Sequence, residues 1–279
     1  MAASLPGALS ISPAAAISLP PSVAVPAALA PSAVAATESA VIRAPDMAAG
    51  LAELRRASYE THPEIERIVA RVNALRPELP LSAKNLFLVR DRELLARLGI
   101  PEDAAGAARI VSDGKSETPI VILAATRPVP LDAFVEYAVH ESVHLMDDGI
   151  LRVRHDQELK HFFAEGWTQK RAVVMANQIL ADLGRPATPG TAYHREIAMV
   201  EAFIARHGEG PLDELVRTGS DAGLRRALGD RWDLASRLIS GDGAAPGPRR
   251  RRLDALTALI NAERVGADEE RVLLDYVRR

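Results

Sequence analysis

The run Tyr137-Ala-Val-His140-Glu141-Ser-Val-His144-Leu-Met-Asp147-Asp148 reads as one helix with two unlike sides. Val135, Val139, Val143 and Met146 recur at helical spacing as an apolar stripe, and Glu136, His140, His144 and Asp147 form a polar one. Two histidines four residues apart project from the same side of a helix, close enough to bind a single metal ion. Glu141 stands one position on, about 100° around the axis, where it can flank the ion without ligating it. This is a His-Glu-x-x-His arrangement. The plainer alternative is an amphipathic helix whose histidines are incidental. Their place in an organised stripe argues against it.

Upstream of the helix, two apolar runs, Ala108–Val111 and Pro119–Ala124, are separated by the turn-rich Ser112-Asp-Gly-Lys-Ser-Glu-Thr118, which predicts an antiparallel hairpin. Leu86–Val89 reads as a short strand, and Asp91 caps a brief helix through Leu98 that Gly99 closes. Thr61-His-Pro-Glu64 is a capping-box pattern. Ile65, Ile68, Val69, Val72 and Leu75 follow it at helical spacing and end near Arg76-Pro77. After Ala125 the chain reads as helices, over about 131–147, 156–182, 193–207, 211–217, 221–228 and 231–239. Gly241-Asp-Gly-Ala-Ala-Pro-Gly-Pro248 is a linker by composition, and 249–279 a charged helical tail. Strands first and helices after predict an α+β fold with a small mixed or antiparallel sheet in an N-terminal lobe and a mainly helical C-terminal lobe.

Downstream, Phe162-Phe-Ala-Glu165-Gly166-Trp167-Thr168-Gln169 supplies a carboxylate at a suitable distance. His140-Glu-Ser-Val-His144, twenty intervening residues and then Glu165 resemble the gluzincin branch of the zincin metallopeptidases. The likeness spans about residues 119–200. It implies a zincin-like fold, Zn2+ held by His140, His144 and Glu165 with water as fourth ligand, and peptide-bond hydrolysis with Glu141 activating that water. It further implies an extended peptide or protein substrate paired along Pro119–Ala124 as an edge strand. The metzincin pattern does not fit, since Asp147 and Ile150 stand where that branch has Gly and a further His. Asp147 and Asp148, one turn past His144, are better placed as acceptors for a ligand imidazole than as ligands. Thermolysin-like members carry Asp four residues after the ligand Glu to orient a histidine. Here that residue is Gln169, whose amide oxygen can accept the same bond without adding charge.

A second donor to the carbonyl oxygen is expected at the start of the next helix. The candidates are Tyr193 and His194, with Tyr193 favoured because a phenol donates near neutral pH. His161, one turn before Glu165, is weighed as a further ligand, and His155 and His161 otherwise as exposed flanking groups. Phe162, Phe163 and Trp167 read as core. Glu196 and Arg249–Arg252 read by default as solvated helical charges.

Composition bounds this reading. The chain has 279 residues, with 34 Lys+Arg against 37 Asp+Glu and no cysteine. A net charge of −3 argues against a nucleic-acid binder neutralising many phosphates. Without cysteine there is no disulfide framework and no thiolate ligand, so a metal must be held by imidazole and carboxylate. Residues 1–46 hold seven of the 19 prolines and no charge before Glu38, which reads as a disordered leader or as an export segment with an Ala-x-Ala site at Ala33–Ala35. The prolines also break every apolar run short of a membrane span. Export to the periplasm or beyond is the expectation if that segment is a signal, and a cytoplasmic site if it is not. The domain proper is read as 47–240, with 241–279 appended. Two other functions stay open: a non-catalytic or degenerate metal-binding interaction module, and a helical scaffold.

Overall fold

The computed structural model describes residues 41–43, 54, 56 and, with short gaps, 65–278. The Thr61–Glu64 cap, Gly99, Asp148 and His155, and most of the leader and of the 241–248 linker, lie outside the described residues.

The fold is mixed α+β, mostly helical, with a small mixed sheet. Strands β1 (Val41–Arg43), β2 (Leu86–Val89), β3 (Gly106–Ser112) and β4 (Glu117–Ala124) stand in the order β1-β3-β4-β2. The predicted hairpin is present: β3 and β4 are antiparallel, with Ala108 opposite Val121. β2 adds to β4 in parallel, and β1 adds to the far end of β3 in parallel. A strand therefore falls within the stretch read as leader, where three residues extend the sheet.

Both faces of the sheet are covered, which is why β2 is apolar at every position rather than alternating. Leu86, Leu88, Ala108, Val121 and Leu123 face helices α1 (Ile65–Leu75), α3 (Leu131–Met146) and the second half of α4 (Glu158–Asp182). Phe87, Val89, Ala107, Val111, Ile120 and Ile122 face Leu94 and Leu95 of α2 (Arg92–Arg97), together with Leu54 and Ile100. Asp91 caps α2 by accepting from the N–H groups of Glu93 and Leu94.

The second core is helical. It gathers the first half of α4 with α5 (His194–His207), α6 (Gly210–Thr218), α7 (Ala222–Leu228) and α8 (Trp232–Ser240). Past the linker, the chain forms two helices, α9 (Arg249–Asn261) and α10 (Ala267–Arg278), where one tail helix was expected. They are part of this core, not an appendage: Leu253, Leu256, Leu259, Ile260, Leu273 and Val277 are buried in it. Arg206 and Arg231 donate to the carbonyls of Ile260 and Ala262, satisfying the open end of α9.

α4 belongs to both cores. Leu159–Trp167 pack into the helical one and Ala172–Leu180 into the sheet-side one. Glu165 and Gln169 stand at the junction.

Candidate metal centre

Helix α3 is buried on both sides. Its apolar stripe meets the sheet, and its polar stripe meets α4, leaving Glu136, His140, His144 and Asp147 at 0, 5, 7 and 2% exposure. Four buried polar side chains on one helix need partners to offset their lost hydration, and α4 supplies them.

His140 Nε2 and His144 Nε2 lie 3.1 Å apart, and Glu165 Oε2 is 3.3 Å from the first and 3.5 Å from the second. These three form the group of metal-ligating side chains among the described residues. Ligands at about 2.0–2.1 Å around a tetrahedral ion stand about 3.3–3.4 Å from one another, which the triangle matches. Glu165 Oε2 is buried and forms no well-aligned hydrogen bond. Three ligand-type atoms this close, with a buried carboxylate oxygen among them, could hold a metal ion.

The electrostatics follow. Burial opposes charge on His140, but the hydrogen bond to Glu165, the charges of Glu141 and Glu165 and the bond to Gln169 outweigh it and raise its pKa to about 9. Burial alone would raise the Glu165 pKa. The two histidines, His144 foremost, hold it well below the usual carboxylate range.

Gln169 takes the part foreseen for it: its Oε1 lies 2.6 Å from His140 Nδ1. Its Nε2 donates to Glu136 Oε1, also at 2.6 Å, an extension that the stripe containing Glu136 hinted at but did not identify. His144 Nδ1 is buried with no hydrogen-bond partner among the described residues. Of the two aspartates read as acceptors for a ligand imidazole, Asp147 accepts from Arg171 Nη1 through Oδ2 at 2.5 Å.

Tyr193 comes to the site. Its ring lies parallel to that of His140, with centroids 5.2 Å apart, and its backbone is left-handed at φ 57°, which costs a bulky residue energy and marks a constrained position. Burial and the charges of Glu165 and Glu141 push its phenol well above the ordinary tyrosine range. His194 is exposed, and His161 is not part of the metal-ligating group. The approach of α5 depends on Gly166: a Cβ there would lie 2.5 Å from Glu196 O. The Glu-Gly pair thus offers a carboxylate to the centre and a bare backbone to the helix that follows Tyr193.

Glu141 is partly exposed beside the start of β3, where Gly106 makes room for it: a Cβ on Gly106 would sit 3.1 Å from Glu141 Cγ. The expected edge strand is corrected here. Pro119–Ala124 lies in β4, which is interior, paired with β3 on one side and β2 on the other. Its backbone is spent on the sheet. Among the described residues, no strand pairs with Gly106–Arg109 of β3 on the side away from β4, because β1 reaches only Ile110–Ser112. Val121 N–H donates to Asn85 O, so its partner Ala108 turns its own N–H and C=O outward along that side. Arg109 Nη1 donates to Ala108 O at 2.8 Å, and burial lowers the pKa of this arginine against the opposing charge of Glu141.

Two defaults for charged residues also fail. Glu196 is buried and paired with Arg249 at 2.7 Å. Arg252 is buried as well, donating to Glu158 Oε1 at 2.5 Å and Ile239 O at 2.8 Å. Compared with known proteins, the chain matches no family model, no curated protein and no solved structure.

Proposed function

We propose that this chain is a zinc-dependent peptidase of zincin type, with His140, His144 and Glu165 holding the metal and Glu141 as general base. The observation that carries the reading is the triangle of three ligand atoms, whose edges match a tetrahedral ion, beside an intact Glu141 on the same helix. A bound zinc ion would supply Lewis acidity to the scissile carbonyl and to water.

The remaining steps belong to the side chains. Glu141 accepts a proton from the attacking water as its oxygen bonds to the peptide carbonyl carbon, and returns that proton to the leaving nitrogen as the C–N bond breaks. Tyr193 stays protonated through neutral pH, so its hydroxyl is available to donate to the carbonyl oxygen as negative charge grows there. An extended substrate would pair along the outer side of Gly106–Arg109, whose first residue abuts Glu141.

The test measures bound zinc and cleavage of a mixed peptide library for wild type and Glu141→Gln. One zinc per chain is expected in both, with cleavage in wild type and a loss of about 10²–10⁴-fold in the variant. Wild type that binds no zinc overturns the reading. Zinc without cleavage would make the chain a metal-binding module.

A further inference from the structure

The mechanism leaves one buried carboxylate unused. Glu136 is fully buried, one helical turn before His140 on α3, and is not one of the three candidate ligands. Its Oε1 accepts from Gln169 Nε2 at 2.6 Å, and Gln169 Oε1 accepts from His140 Nδ1 at 2.6 Å. The loop after α4 closes over the pair. Gly190 lies beside it, where an added Cβ would stand 3.9 Å from Glu136 Oε1 and 4.0 Å from Gln169 Nε2, and Asn177 pins that loop through both the N–H and the C=O of Thr188.

An amide can be turned end for end, and the two ends ask opposite things of an imidazole. With its oxygen toward His140, Gln169 requires a proton on Nδ1 and frees the Nε2 lone pair for a metal. With its NH2 toward His140, it would require a bare Nδ1, place the ring's proton on Nε2 and remove that nitrogen as a ligand. Gln169 alone does not choose. A carboxylate beside it does, because it accepts only: the turned amide would set oxygen against oxygen at hydrogen-bond distance.

We propose that Glu136 is a positioning residue that locks the orientation of the Gln169 amide and, through it, keeps His140 Nε2 open as a metal ligand. The proposal rests on the metal reading of the same site and adds a residue to it. It also explains why the position four residues after Glu165 holds an amide. A carboxylate at 169 would stand against Glu136 in a closed pocket, where two like charges are costly. Glutamine passes the orientation along without bringing a second charge.

Three variants test this, each read by zinc affinity in a chelator competition and by the hydrogen exchange of the His140 Nδ1 proton in NMR. Glu136→Gln keeps the volume but offers either end to Gln169; zinc binding is expected to weaken about 10-fold or more, with faster exchange of that proton. Gln169→Glu alone, with two carboxylates in contact, is expected to lose at least as much. Combining the two lets Glu at 169 accept directly from His140 while Gln at 136 donates to it, and most of the lost affinity should return. A purely structural role for Glu136 does not anticipate that rescue. Unchanged zinc affinity in Glu136→Gln, or a double variant no better than the singles, overturns the proposal. If the wild-type chain takes up no zinc, the metal reading falls by itself. The exchange of the Nδ1 proton in the metal-free chain then decides, and unchanged exchange in Glu136→Gln overturns the lock.

Discussion

Glu158 and Glu165 lie two turns apart on the same helix, and the fold treats them in opposite ways. Glu158 is met by an arginine from α9, Arg252, which also donates to Ile239 O and lies over the Phe162 ring at 5.3 Å. That carboxylate is neutralised by the protein itself. Glu165 meets two imidazole nitrogens and, among the described residues, no Lys or Arg. Ion pairs that serve packing bring their own countercharge, as Arg249 does for the buried Glu196. A carboxylate gathered with two histidines, whose protons a metal ion can replace, could hold a cation, whereas one paired with an arginine could not, and that contrast separates a candidate binding centre from a structural salt bridge.

The largest effect should come from erasing the difference at Glu165. Glu165→Ala removes one of the three proposed ligands, and zinc affinity is expected to fall at least ~100-fold, beyond what is typical for losing a residue that only supports a ligand. The fold should survive, because Glu165 is partly exposed and its neighbours Phe162, Phe163 and Trp167 carry the packing. Zinc affinity within a few-fold of wild type would mean that the two glutamates do not differ in kind.

The complementary change breaks the other side of the comparison. Arg252→Met keeps the aliphatic stem on Phe162 but leaves Glu158 without its partner. Glu158 is 39% exposed, so water offsets part of the loss, and about 1–2 kcal/mol of stability is expected to go in urea unfolding. Zinc affinity should not move. If it falls with stability, the two clusters are coupled through α4, and the separation drawn between them is too sharp.

This contrast also marks where the sequence is legible. The grouping of His140, His144 and Glu165 can be read because the helical repeat fixes which side chains share a face, and because a candidate ligand set carries its own spacing. Arg252 cannot be read as buried from its neighbours in a four-arginine run; its partner is 94 positions away. The better signal was the apolar spacing of Leu253, Leu256, Leu259 and Ile260, which makes α9 a core helix and carries Arg252 inward with it. Glu136 looks like any helical glutamate until α4 covers it. The hairpin was plain from its turn, whereas the parallel docking of β2 on β4, which turns the presumed edge into an interior strand, leaves no local mark.

The smallest effect is a pH dependence, which the two carboxylates should divide cleanly. In the metal-free chain the proton on His140 stands where the cation would, and the folded-state pKa of about 9 lies above the ordinary 6.5. A raised pKa gives stability that is fully present below about pH 6.5 and is lost as pH rises through about 9. The melting temperature of the chelated protein should therefore decline between those values. Displacing that proton is part of binding the ion, so apparent zinc affinity should rise by up to about tenfold per pH unit over the same window and level off above it. The zinc-loaded chain has already given up the proton, and its melting temperature at saturating zinc should not show that decline. The Arg252–Glu158 pair stands apart from the metal triangle, so Arg252→Met should shift both curves down without changing their shape. A flat melting curve for the chelated wild type would mean that no proton is held between His140 and Glu165, and the triangle would then lack the charge balance attributed to it.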